Sequence, residues 1–322
     1  MALAALRATA FTWPDRTVAV DALPALSADE RAACAGLGIE EIRADDAVSA
    51  TDLAASACRA ALADADIAPT DVGALVLVEP RAPDALLASD ATRLQALLGL
   101  EKATAFTVGG LGCVSSTPAL LTARGLLAAD PRLDHVLIAH GSKPAAPQRY
   151  RHPVTVNGDG GMAVVVSRAG PVRLVDLVQH SNGDYWDLFS LDYRTRPASR
   201  WVERCRDVRE YTFRLAVESR NRLRALYAEL LERNGLRPDD IDCHIAHNLS
   251  AGSLEFIAEA LDAKVAPSCA DNLRRYGHLG PADVLLNLHT ELRAGGQRPG
   301  WRAVLVNASP AAAWSAALVA LA

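Results

Sequence analysis

Apolar positions along this chain switch between a helical period and continuous runs. Across 51–63 the residues Leu53, Ala54, Cys58, Ala61 and Leu62 share one face of a predicted amphipathic helix. Ala74-Leu75-Val76-Leu77-Val78 follows as an unbroken apolar run, the pattern of a strand buried on both faces. A helix near 89–98 comes next, then an alternating strand at 103–108 and an Ala- and Leu-rich helix over about 114–128. Val136-Leu137-Ile138-Ala139 is another buried strand. The turn Asn157-Gly158-Asp159-Gly160-Gly161 leads into the strand Met162-Ala163-Val164-Val165-Val166.

The second half repeats this order. A strand at 172–178 precedes a long helix over about 208–234, and Cys243-His244-Ile245-Ala246-His247 is a strand feeding a helix near 253–261. A helix over 282–292, the strand Val304-Leu305-Val306, a small-residue turn over 307–313 and a final strand at 314–321 complete the chain. Strands alternating with helices predict an α/β fold with parallel sheets covered by helices. The linker Ser167-Arg168-Ala169-Gly170-Pro171 divides the chain into an N-terminal half, 1–169, and a C-terminal half, 170–322. In each half a residue of catalytic type sits where a strand meets a helix: Cys113 in the first, His247 in the second.

Composition narrows the class. The chain has 322 residues, enough for one large core or two similar halves, and half of them are hydrophobic. No apolar run is long enough to cross a membrane, and no basic stretch followed by an apolar one opens the chain. The formal net charge of −5 argues against nucleic acid as a partner. Six scattered cysteines show neither zinc spacing nor a disulfide framework, so a reduced, cytoplasmic protein without a metal is expected. Cys34, Cys58, Cys205, Cys243 and Cys269 are expected to be small buried hydrophobes.

Cys113 is different. Gly109-Gly110-Leu111-Gly112 gives it a flexible turn between a strand and a helix, the arrangement of a nucleophile elbow. The positive end of the helix dipole and unpaired backbone N–H groups favour thiolate there, and the thiolate is the nucleophile. The Asn157-Gly158-Asp159-Gly160-Gly161 turn lacks the Lys-Ser/Thr of a phosphate loop and precedes a strand, so it reads as a tight turn holding the site backbone. Arginines 194, 196, 200, 204, 206, 209 and 214 read first as a solvated surface. A docking face for an acidic protein or for a phosphate-bearing ligand is the alternative.

Five motifs occur in one order: Gly109-Gly110-Leu111-Gly112-Cys113, the 157–161 turn, Ile245-Ala246-His247-Asn248, Asn272-Leu273-Arg274-Arg275-Tyr276-Gly277-His278, and the C-terminal Trp314-Ser315-Ala316-Ala317-Leu318-Val319. Together they make the chain resemble the β-ketoacyl-acyl-carrier-protein synthase III family of the thiolase superfamily, along essentially its whole length. The resemblance implies two similar βαβαβαββ halves in a five-layered αβαβα arrangement, and a homodimer with the 103–108 strand near the two-fold axis. It also implies a cysteine that takes an acyl group from an acyl-CoA or acyl-carrier-protein thioester and hands it to a second substrate. Coenzyme A or its phosphopantetheine arm would then be a substrate, with no tightly bound cofactor.

The departures bear on the reaction. Condensing members use a His and an Asn to stabilise the enolate formed as a malonyl group loses carbon dioxide. Here His247 matches that His, but the Asn position holds His278, and Asp283 lies five residues further on. A carboxylate beside His247 would orient its imidazole, giving a Cys113–His247–Asp283 arrangement suited to deprotonating a hydroxyl or amine. His278 either lines the site or caps the turn after Gly277, and Asp283 also suits a helix N-terminus. The chain is therefore similar to the family's acyltransferase relatives, which make esters or amides from small-molecule acceptors in natural-product pathways. Decarboxylative condensation with His247 and His278 as donors is the alternative, as in fatty-acid biosynthesis. A noncatalytic partner subunit of a synthase heterodimer is a third reading. Asn307-Ala308-Ser309-Pro310-Ala311-Ala312-Ala313 replaces the family's Gly-rich oxyanion turn, and Pro310 has no N–H to donate. Glu79-Pro80-Arg81-Ala82-Pro83 suggests an altered acyl-chain pocket.

Overall fold

The computed structural model describes residues 4–24 and 26–322. Among these, nine strands form one sheet: β1 (Ala5–Thr12), β2 (Val72–Val78), β3 (Thr104–Val108), β4 (His135–Ser142), β5 (Gly160–Ser167), β6 (Val172–Ser181), β7 (Cys243–Ala246), β8 (Arg302–Ser309) and β9 (Ala313–Leu321). Their order is β7-β8-β9-β6-β1-β5-β4-β2-β3. The sheet is mixed, which corrects the expectation of parallel sheets. Only the β2–β3, β2–β4 and β7–β8 pairs are parallel. The turn between β8 and β9 is too short for the crossover that a parallel pair needs, and β1 inserts antiparallel between β5 and β6.

The helices are α1 (Ala28–Ala35), α2 (Ala50–Ala65), α3 (Asp90–Leu98), α4 (Ser116–Ala129), α5 (Ala216–Asn234), α6 (Ala251–Leu261), α7 (Pro267–Tyr276) and α8 (Asp283–Ala294). Ser49 and Ser89 cap α2 and α3 with their hydroxyls, which explains where those helices start. The Ala-rich face of α2 lies flat on β1, β4 and β5. A Cβ at Gly141 or Gly161 would sit 1.8 Å from the Ala50 carbonyl oxygen or 2.0 Å from that of Leu53, so glycine sets this close approach. α4 packs against strands of both halves. The long second-half helix begins, as expected, near 208, but contains a wide π turn at Glu210–Leu215 before α5. No described helix is long and apolar enough to cross a membrane.

Two smaller expectations change. β8 continues through Ser309, so the small-residue turn shrinks to 310–312. Cys34, Cys58 and Cys269 are buried, whereas Cys205 and Cys243 are only half-buried, on short strands near the surface.

Candidate active site

Cys113 sits where β3 hands over to α4. A 3-10 turn, Gly112–Ser115, leads into the helix and carries the thiol into the interior, 3% exposed. Gly112 has φ +54, and a Cβ there would lie 2.4 Å from the Ser309 hydroxyl, so the elbow depends on glycine. From the other half, Asn307 donates its side-chain amide to the Cys113 carbonyl at 2.6 Å. The nucleophile is thus pinned by both halves.

His278 follows α7 and is held by its backbone. Its N–H donates to the Val156 carbonyl at 2.9 Å, and its own carbonyl accepts from Gly158 at 3.2 Å. The 157–161 turn therefore does hold the site backbone. A Cβ on Gly158 would meet the Tyr276 carbonyl oxygen at 2.1 Å. The buried Asp159 anchors the turn, taking both guanidinium nitrogens of Arg149 at 2.6 and 3.0 Å.

The His278 ring bridges two groups. Nε2 lies 3.2 Å from Cys113 Sγ, and Nδ1 lies 2.6 Å from Asp283 Oδ2. Asp283 opens α8, where the helix dipole favours an anion. Its carboxylate also accepts the peptide N–H groups of Leu279 (2.8 Å) and Asn248 (2.9 Å). All three side chains are buried. Burial opposes protonation of His278, but the neighbouring Cys113 and Asp283 anions outweigh it and raise the imidazole to about 9. Burial likewise pushes the Cys113 thiol up, and the His278 imidazolium more than reverses that, holding it below the ordinary thiol value.

The expected pairing of Asp283 with His247 is therefore corrected: Asp283 binds the ring of His278. The reason is local. A 3-10 turn, Gly280–Ala282, folds the chain back so that Asp283 faces the ring five residues before it, with Gly280 at φ +67. His247 is adjacent through the Asn248 peptide, but its two ring nitrogens have no hydrogen-bond partner. The Val306 carbonyl is near this ring and outside hydrogen-bond geometry. Burial, only partly offset by Asp283, lowers His247 to about 4, so it is neutral above that pH.

Two cavities meet at the Ser309-Pro310 turn. One of about 350 Å³ holds Cys113 and His278 and is walled by Glu79, Arg81, Arg151 and Glu203. The other, of about 370 Å³, is reached by His247 and bounded by Tyr211, Ser250 and Phe256.

Residues 231–321 match the family model for the C-terminal part of 3-oxoacyl-[acyl-carrier-protein] synthase III. The chain is 26% identical over 283 residues to β-ketoacyl-[acyl-carrier-protein] synthase III of Bacillus pumilus, covering 87% of this chain and 86% of that protein. It is 29% identical over 286 residues to the same enzyme of Nitratidesulfovibrio vulgaris, covering 84% and 83%. Its structure is similar to 3-oxoacyl-[acyl-carrier-protein] synthase III from Aquifex aeolicus (TM-score 0.82, 21% identity, 98% of this chain and 99% of that one). It is also similar to ChlB3, an acyltransferase (TM-score 0.85, 22% identity, 99% and 98%). The chain is thus similar to the synthase III enzymes over most of its length.

The fold is accordingly the thiolase-like one, mixed α/β around a large central sheet. Two buried asparagines that brace the site, Asn307 and Asn287, escaped the sequence reading. Asn307 reads as part of a small-residue turn, although it is a buried strand residue. Asn287 was hidden on an apolar helix face. Its amide donates to the Ala246 carbonyl (2.7 Å) and to the Asn248 side chain (2.8 Å), bracing the loop that carries His247. A buried Asn among apolar neighbours was the available signal. The C-terminal turn also loses a donor to itself, because the Ala311 N–H is held by the Ser309 hydroxyl at 3.1 Å.

Proposed function

We propose that this synthase III-like chain is an acyltransferase that moves an acyl group from a coenzyme A or carrier-protein thioester, through a Cys113 acyl-enzyme, to a hydroxyl or amine. The observation that carries this is the relay Asp283–His278–Cys113, with contacts of 2.6 and 3.2 Å. An imidazole backed by a buried carboxylate is a base, whereas the same anion works against an enolate forming nearby.

In the first half-reaction the Cys113 thiolate attacks the thioester carbonyl carbon. The carbon–sulfur bond to the pantetheine arm breaks, and the leaving thiolate takes the proton from His278. In the second, His278 accepts the proton of the acceptor O–H or N–H as that atom attacks the acyl carbon. Cys113 then departs as thiolate, restoring the ion pair. Acylation itself prepares this second step. It erases the thiolate that helps keep His278 protonated, leaving Asp283 alone against burial, so the ring holds its proton less tightly than in the free enzyme. His247, neutral and with unpartnered ring nitrogens, is assigned the positioning of the second substrate.

Incubating the acylated enzyme with malonyl thioesters and with a panel of hydroxyl and amine acceptors tests this reading. Transfer without carbon dioxide release is expected. Release dependent on His278 would establish condensation instead.

The working unit proposed is a homodimer joined along β3. That strand is a sheet edge, pairing only with β2, and unpaired edges invite a partner strand. Light scattering at micromolar concentration should give a dimer, and Ala105→Pro should weaken it. A fully active monomer would sink the idea.

A further inference from the structure

The cavity beside Cys113 has a charged wall, and its charges are not equally satisfied. Arg151 Nε sits 2.6 Å from Glu203 Oε2, and the Arg151 guanidinium also lies over the Phe189 ring at 5.0 Å. Glu79 takes the Gly110 N–H at 3.0 Å, fixing the turn before the nucleophile. Arg81 alone is left over. Its Nη1 donates to two neutral oxygens, the Ser142 hydroxyl at 3.3 Å and the Lys143 carbonyl at 3.2 Å. Its Nη2 is shielded from solvent and has no partner, and no described carboxylate lies within ion-pair distance.

An unpaired guanidinium nitrogen out of water is costly, and Arg is the side chain best shaped to hold a carboxylate. The position is also built. Arg81 Nη2 lies beside the backbone of Gly280, two residues after His278, where a Cβ would stand in ordinary contact with it at 3.4 Å, so the guanidinium is held next to the reacting centre. Trp186, Phe189 and Leu191 supply the large apolar part of the remaining wall, with Ser115, Ser190 and Ser309 also lining it. A cavity of about 350 Å³ is at the small end for ligand pockets, which limits the acyl chain to a short one.

Resting on the acyl-enzyme reading above, we propose that Arg81 binds a carboxylate at the far end of the acyl group. The preferred donors are then thioesters of short dicarboxylic acids. The acyl carbonyl carbon bonds to Cys113 Sγ, the donor thiol leaves with the His278 proton, and the distal carboxylate stays ionised against Arg81.

The test compares donors matched in length. Cys113 acylation is followed by intact mass with succinyl-CoA against butyryl-CoA, and with glutaryl-CoA against pentanoyl-CoA. The carboxylated donor of each pair should react at least about tenfold faster. Arg81→Met should lower that ratio by about tenfold to a hundredfold, and Arg81→Lys should restore part of it. A wild-type ratio at or below one overturns the proposal whether or not the variants fold. A ratio unchanged in Arg81→Met also overturns it, since Arg81 would then only balance the charges of Cys113 and Asp283. Adducts from the apolar donors alone would sink this proposal while leaving the acyl-enzyme reading standing. No adduct from any donor would end both.

Discussion

His278 and His247 are buried to nearly the same degree, within one site, and they end in opposite states. His278 stands between a thiolate and a carboxylate and is raised to about 9. His247 has unpartnered ring nitrogens and is lowered to about 4. Burial penalises the charged ring in both cases, so anions at hydrogen-bond distance decide which one holds a proton. That difference divides the labour: one imidazole cycles a proton, the other offers a fixed neutral ring. The Asn248 peptide joins the two, because its N–H is a ligand of Asp283 while its neighbour is His247.

The harshest way to break this comparison is to remove the proton-cycling ring. His278→Ala should slow both self-acylation of Cys113 and transfer by about a thousandfold or more. The thiol reports the same loss independently. In the wild type Cys113 titrates below its ordinary value, so its thiolate is present above that depressed pKa and is lost only as pH falls through it. Alkylation by iodoacetamide should therefore stay fast well below the usual thiol range. Without His278, burial and the Asp283 anion both raise the thiol and only Arg151 opposes them, so the alkylation profile should move to higher pH. A profile that does not move would mean that the imidazolium does not sustain the thiolate.

Asp283→Asn tests the other support. The carboxamide has one acceptor oxygen where the carboxylate uses two, so it keeps only one of the Leu279 and Asn248 peptide N–H groups, and it supplies no anion to Nδ1. Transfer should fall by about a hundredfold or more, and the alkylation profile should shift upward by less than in His278→Ala. Equal transfer rates in Asp283→Asn and the wild type would refute the relay.

How much of this was legible depends on distance along the chain. All four polar residues of the centre were readable as candidates, Cys113 from its turn and the others from the order of motifs. Their wiring was not. Asp283 lies 36 residues from His247 and five from His278, and both pairings put a carboxylate on a histidine. The Gly280-Pro281 pair was the local clue, since a left-handed Gly before a Pro turns the chain back within one helical turn. The sheet's mixed pairing was hidden for a similar reason. An apolar run shows that a strand is buried and does not show its direction. Arg81 was visible only as an odd residue in an odd segment, and its unsatisfied nitrogen appears only once Ser142, Lys143 and Gly280 are brought around it.

The gentlest change should be His247→Ala. If this ring only positions the second substrate, its loss removes about one neutral hydrogen bond, so kcat/KM for transfer should fall by about tenfold. Self-acylation with a saturating donor should fall by less, and the alkylation profile of Cys113 should not move, because Asp283 and His278 keep their contact. Asn287→Ala should act in the same direction and more weakly, by loosening the loop at Ala246 and Asn248 without touching a reacting atom. A shift of the alkylation profile in His247→Ala as large as in His278→Ala would show that the two rings act as one unit. The proton would then be shared between them across the Asp283 carboxylate, and the division of labour drawn from their different surroundings would fail.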